Sequence, residues 1–116
     1  MMQYMFLIYS AEGSDPAPGT PEFDQMMQDY HTFTEEVREA GIMREGAPLE
    51  PVDTATTVRV RNGAPNVVDG PFAETKEVLG GYYILECKDL DEATAYAAKI
   101  PTATYGSIEV RPVMEM

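Results

Sequence analysis

Residues 3–10, Q-Y-M-F-L-I-Y-S, are apolar at almost every position. Read as a strand, they place Tyr4, Phe6 and Ile8 on one face and Met5, Leu7 and Tyr9 on the other. Neither face is polar, which is the pattern of a strand covered on both sides. Residues 78–87 repeat it, with Tyr82 and Ile84 facing one way and Tyr83, Leu85 and Cys87 the other. Between these runs the period changes. Phe23, Met26, Met27, Tyr30, Phe33, Val37 and Ala40 recur at three- and four-residue spacing, which predicts an amphipathic helix. Thr20 can cap it, Pro21 suits the first helical position, Glu22 and Asp24 suit the positive end of the dipole, and Gly41 ends it. Leu90, Ala93, Ala97 and Ile100 form the inner stripe of a second helix, opened by an Asp89/Glu92 capping box and stopped by Pro101.

Four further stretches complete the chain. T-T-V-R-V-R alternates, with Val58 and Val60 opposite Thr57, Arg59 and Arg61, and N-G-A-P turns it into Val67–Val68. S-I-E-V-R-P-V-M predicts a last strand with Ile108 and Val110 opposite Glu109 and Arg111. Residues 43–55, with Pro48 and Pro51, read as irregular. Residues 11–20 are rich in Gly and Pro and read as a solvated connection or as a flap over a site.

The order predicts one α+β domain over residues 1–116, a ferredoxin-like β-α-β-β-α-β core with an extra hairpin. Its two helices cover one face of an antiparallel sheet. The central strands are apolar on both, and each large side chain left in water forgoes about 1.5–3 kcal/mol. The chain has no spare strands for a second sheet, so a second copy is expected to supply it, giving a symmetric homodimer packed sheet against sheet.

Charge narrows the partners. Twenty Asp and Glu against eight Lys and Arg give a formal net charge of −12. Such a surface repels phosphate backbones and anionic lipid, so neither nucleic acid nor a membrane is an expected partner. One cysteine, Cys87, allows no internal disulfide. The N-terminal M-M-Q-Y-M-F-L-I-Y-S lacks a basic leader and a cleavage site and is too short to span a bilayer, so the protein is expected in the cytoplasm. With a single histidine and no Cys/His cluster, no metal is expected. Gly80–Gly81 lacks phosphate-loop spacing, and no cofactor is expected.

The link V-V-D-G-P-F-A-E-T-K-E-V-L-G-G-Y-Y is longer than a hairpin requires. Asp69, Gly70 and Pro71 read as a rigid corner at a strand end, with Phe72 as its apolar anchor. Gly80–Gly81 permits a bulge, a close backbone approach or room for a ligand. This stretch resembles the DGPF branch of the YCII-related family. So do the later G-S-I-E-V-R-P, the F-T-E-E-V-R-E-A-G helix end and A-T-T-V-R-V-R, and the similarity runs over nearly the whole chain. The resemblance implies a dimeric α+β barrel. It also implies a link to extracytoplasmic-function sigma factors, as for many members of that branch, and distant kinship to a muconolactone-type dehalogenase. It implies no settled activity. The better-studied YCII branch is associated with a histidine on the first helix and an aspartate before a proline after the second. Here those positions fall nearest Tyr30 and at Ile100, with His31 one residue off, so the pair is not carried over.

Two sets of residues are candidates for chemistry. His31 is the only side chain that titrates near neutrality without help. To act in acid–base chemistry it needs a nearby carboxylate, for which Asp69, Glu74 and Glu109 are the candidates. Arg59, Arg61, Lys76 and Arg111 are half of the cations, and on a common sheet face they would hold a small carboxylate or phosphate. Tyr30, Phe72 and Tyr82 would add rings and hydroxyls. Two functions follow: a protein that binds a small anionic or aromatic metabolite, or a cofactor-free enzyme of isomerase, lyase or dehalogenase type using His31 or a carboxylate such as Asp69 or Glu74. A regulatory module linked to a sigma factor is the third.

Overall fold

The two runs without a polar face form the two central strands. The computed structural model describes residues 1–116. Its elements are β1 (Met2–Ser10), α1 (Pro21–Glu39), β2 (Met43–Pro48), β3 (Thr56–Arg61), β4 (Ala64–Asp69), β5 (Val78–Cys87), α2 (Leu90–Ala97) and β6 (Ser107–Pro112), with short 3-10 turns at Val52–Thr54 and Pro101–Thr104. β2, β5, β1 and β6 form, in that order, one antiparallel sheet, while β3 and β4 form a separate two-stranded sheet. The fold is mixed α+β, and the sheet does not close into a barrel within one chain.

The even positions of β1 and the odd positions of β5 face the helices. Register pairs Tyr4 with Leu85 and Phe6 with Tyr83, and both pairs are buried with Cys87. Phe33 and Val37 of α1 and Ala93, Ala97 and Ile100 at α2 close over them as one cluster, so both helices lie on the same face. The helix ends follow from their sequences. The Thr20 hydroxyl accepts from Phe23 N–H at 3.1 Å. At the other end Gly41 takes φ +72°, and the N–H groups of Gly41 and Ile42 bond back to Arg38 and Val37, the Schellman arrangement that satisfies terminal carbonyls. Asp89 accepts from Glu92 N–H at 2.9 Å, and Glu92 reaches back to Lys88 N–H at 3.0 Å.

The structure corrects several expectations. Residues 43–48 are not irregular: they form the edge strand β2. M-R-E-G-A-P shows no alternation because the strand is bulged, Met43 pairing with Leu85 and Glu45 with Ile84, so Arg44 is an extra residue. Leu90 lies outside the inner stripe at 53 % exposure, since it occupies the first turn of α2, before the helix reaches the sheet. Ala40 is exposed at the cap of α1, and Met27 is turned to its flank. The N-G-A-P link is a two-residue turn at Asn62 (φ +53°) and Gly63 (φ +76°), so β4 begins at Ala64.

The other face of the four-stranded sheet carries Met5, Leu7 and Tyr9 from β1 and Tyr82 and Ile84 from β5, all half-buried by one another. Both helices lie opposite, and the β3–β4 pair makes no substantial contact with this sheet. The molecule is a slab 20 Å thick, with other extents of 47 and 43 Å. Its radius of gyration is 16.1 Å, above the ~13 Å of a compact chain of this length. No helix is long and apolar enough to cross a membrane.

Two outcomes are expected. Leu85→Ala removes a side chain with no exposed surface and should cost about 2–5 kcal/mol, read as a lower urea midpoint at unchanged slope. Burial, then the nearby Glu92 and Asp89, push the Cys87 thiol up to about 11. Its neutral form therefore stabilises the fold fully below the ordinary thiol range, and that stability is lost as pH rises through about 11. At pH 8, Cys87 should alkylate at least ~100-fold more slowly in the folded chain than in urea.

Candidate functional site

A cavity of about 700 Å³ opens between the flank of α1 and the β2 edge of the sheet. α1 lines it with Met27, His31, Thr34 and Arg38, residues spaced four, three and four apart and therefore on one helix flank. This flank adjoins the buried stripe of Phe33 and Val37. The opposite wall is backbone-rich, with Gly46, Ala47 and Pro48 of β2 and Gly80, Gly81 and Tyr82 of β5. The floor is Ile8, Ser10, Tyr83 and Thr102.

The glycines have separate reasons. Gly80 is the extra residue of a bulge, since Ile8 pairs with Gly81 and Tyr9 with Leu79. At Gly81 a Cβ would lie 3.0 Å from Ala47 O, and at Gly46 it would lie 2.8 Å from the Tyr83 ring. Small residues at these two positions let β2 approach β5 and let Tyr83 fill the floor.

Hydroxyls define the polar character of the site. Tyr30 and Thr102 share a hydrogen bond of 2.6 Å, which joins α1 to the turn after α2. Thr34 and Tyr83 share one of 2.8 Å, and the Tyr83 ring meets Phe33 edge-on at 5.2 Å between centroids. Burial raises both phenols above their ordinary pKa, so at neutral pH they are hydrogen-bonding groups and not bases. At the far end Asp15, in the 11–20 loop, accepts from Ser10 Oγ at 3.3 Å and from Tyr105 OH at 2.6 Å. Burial and that carboxylate push Tyr105 up to about 12. The loop thus lies against one end of the cavity, where a second depression of about 540 Å³ adjoins it and shares Ser10, Asp15 and Phe23. His31 is exposed, and Arg38 is held loosely by Glu35 at 3.6 Å.

The structure separates the residues singled out from sequence. Tyr30, His31 and Tyr82 line the cavity, Tyr82 donating to Glu45 at 2.7 Å. Arg59 and Arg61 stand on β3, Asp69 ends β4, and Phe72, Glu74 and Lys76 lie in the exposed link that follows. Arg111 is on β6 opposite Met5, on the open sheet face, 3.9 Å from Glu109. The four cations do not converge within one chain. Arg38, Thr34, Thr102 and Asp15 line the cavity without having stood out in the sequence. The first two follow His31 at helical spacing, but only β2 opposite them makes that flank a cavity wall.

Residues 2–116 match the profile of the YCII-related domain. The chain belongs to the YCII-related family. An uncharacterized protein of Rhizobium meliloti (strain 1021) is 40% identical over 114 residues, covering 97% of this chain and 92% of that protein. In this YCII-related chain Ile100 is fully buried in the core, whereas Tyr30 reaches Thr102, two residues further on. A hydroxyl pair thus joins the first helix to the turn after the second.

Tyr30→Phe leaves the buried Thr102 hydroxyl without its partner and should cost about 1–2 kcal/mol in urea unfolding. In Thr102→Val the same substitution should cost less, because the partner is already gone; a double-mutant cycle reads the coupling.

Proposed function

We propose that this protein is a homodimer that binds a small molecule with an apolar, aromatic-sized body and one acidic group in the cavity beside α1. The cavity carries the reading: about 700 Å³, with half of its 20 lining residues hydrophobic, lies in the range of small-molecule sites. Met27, Phe23 and Ile8 suit the apolar body, and the Arg38 guanidinium and His31 at the mouth suit the acidic group. The raised phenols of Tyr30 and Tyr83 stay protonated, which favours recognition over proton abstraction.

The same proposal places a second copy on the open sheet face, over Met5, Leu7, Tyr9 and Ile84. Strand order β2-β5-β1-β6 with both helices on one face supports a ferredoxin-like half of a dimeric α+β barrel. A second functional reading, a cofactor-free acid–base enzyme, is favoured by His31 at the mouth of a cavity that also holds the Asp15 carboxylate.

Thermal shift against a panel of small aromatic and alicyclic carboxylates tests the binding site. A binder at about 100 times its Kd stabilises by about 2.7 kcal/mol. Arg38→Ala should weaken that binder at least tenfold and Arg59→Ala should leave it unchanged. Loss of binding in Arg59→Ala with none in Arg38→Ala would move the site to the hairpin, and a panel without any binder would overturn the ligand class. Turnover of a bound compound that is lost in His31→Ala would select the enzymatic reading.

A further inference from the structure

The cavity beside α1 has two poles of opposite charge. Of its 20 lining residues, Arg38 is the only lysine or arginine and Asp15 the only aspartate or glutamate. They stand at opposite ends of it. Arg38 is in the last turn of α1. Asp15 accepts from Tyr105 OH at 2.6 Å, and that hydroxyl also lies 3.4 Å from the sulfur of Met26, in the second turn of α1. Met26 and Arg38 are twelve residues apart on the helix, about 18 Å along its axis. The Arg38 side chain leans back toward Glu35 and shortens that gap. Between the poles the wall is apolar or hydroxyl-bearing, with Ile8, Met27, Tyr30 and Thr34.

Asp15 is oriented by neutral donors. The buried Ser10 gives its hydroxyl to Asp15 Oδ1 at 3.3 Å, and Tyr105 donates to the same oxygen. Burial, then that carboxylate, push Tyr105 up to about 12, so it stays a donor. Oδ2 has only the Ser10 hydroxyl, at 3.5 Å, and keeps room for a further donor. None of the chain's four ion pairs includes Asp15. A ligand hydroxyl would satisfy Oδ2, but an ammonium group also answers the charge. Glu22 and Asp24, in the first turn of α1, offset the positive helix end nearby.

We propose that Asp15 is the second anchor of the cavity's ligand and takes an ammonium group at the end remote from the acid. The ligand class is then an elongated zwitterion, with its carboxylate toward Arg38, its apolar body along α1 and its ammonium at Asp15. This rests on the binding reading above and narrows it, and it gives the 11–20 loop a specificity residue. Asp15 is exposed, so the preference it confers is that of a solvent-screened pair, several-fold in affinity.

The test is isothermal titration calorimetry with two series of probes, benzoates and biphenyl carboxylates. Each carries a methyl, an aminomethyl or a second carboxylate group at the para position remote from the acid. In the biphenyl series, whose ends lie farther apart, the parent should bind the aminomethyl compound about threefold or more tighter than the methyl compound, and the diacid about threefold or more weaker. Asp15→Asn keeps an oxygen for Ser10 and Tyr105. It should leave the methyl compound's dissociation constant unchanged and bring the aminomethyl compound level with it. Asp15→Lys should reverse the order and place the diacid above the aminomethyl compound. A parent that binds the methyl compounds and gains nothing from the aminomethyl group overturns the second anchor and leaves the acid-binding reading intact. A gain that persists in Asp15→Asn does the same. A parent that binds none of the probes overturns the binding reading and the anchor together.

Discussion

β1 and β5 carry large apolar side chains on both faces, and the helices reach only one of them. That mismatch organises the rest of the molecule. On the covered side Phe6, Leu85, Val37 and Ile100 lose all contact with water. On the other side Met5, Leu7, Tyr9, Tyr82 and Ile84 shade one another and remain half-buried. Covering them adds a fraction of the ~1.5–3 kcal/mol that full burial of each is worth. Only 15 of 116 residues are buried in the single chain, so that fraction weighs heavily against the small net stability of a domain this size. A thin slab with one greasy face and a bare hairpin is what the proposed twin would account for.

The cavity is a consequence of the same sheet. Its wall exists because β5 bulges at Gly80 and because Gly46 and Gly81 let β2 close in, while α1 stands off by the depth of its flank residues. No buried side-chain polar atom lacks a partner. The hydroxyl pairs Tyr30–Thr102 and Thr34–Tyr83 tie α1 to the turn after α2 and to β5, on either side of the cavity. Protonated phenols and a loosely held guanidinium are the features on which the proposed recognition rests. The D-G-P-F corner, the most distinctive stretch of the sequence, lies elsewhere and braces the hairpin.

Sequence carried the central strands and both helix starts because each rests on a local signal: two-faced apolar runs, the Thr20 cap, the Asp89–Glu92 pair. β2 was hidden because M-R-E-G-A-P is a bulged edge strand, whose side chains follow no period of two and whose existence depends on hydrogen bonds to β5 seventy-eight positions into the chain. Leu90 looked inward because helical spacing fixes an angle, not the point at which the helix meets the sheet. The arginines looked convergent for a similar reason. Alternation shows that Arg59 and Arg61 share a face of their strand, but not that β3 and β4 leave the main sheet. Thr34 and Arg38 were indistinguishable from a solvated helix flank until β2 was placed opposite them. Distant partners, and not local propensity, decide those features.

The central claim is that the open sheet face is covered by a second copy. Static light scattering across micromolar concentrations tests it most directly. The account predicts a particle of about twice the 12.8 kDa chain mass. A monodisperse particle of 12.8 kDa at every concentration, with Met5, Leu7 and Ile84 facing water, would contradict it.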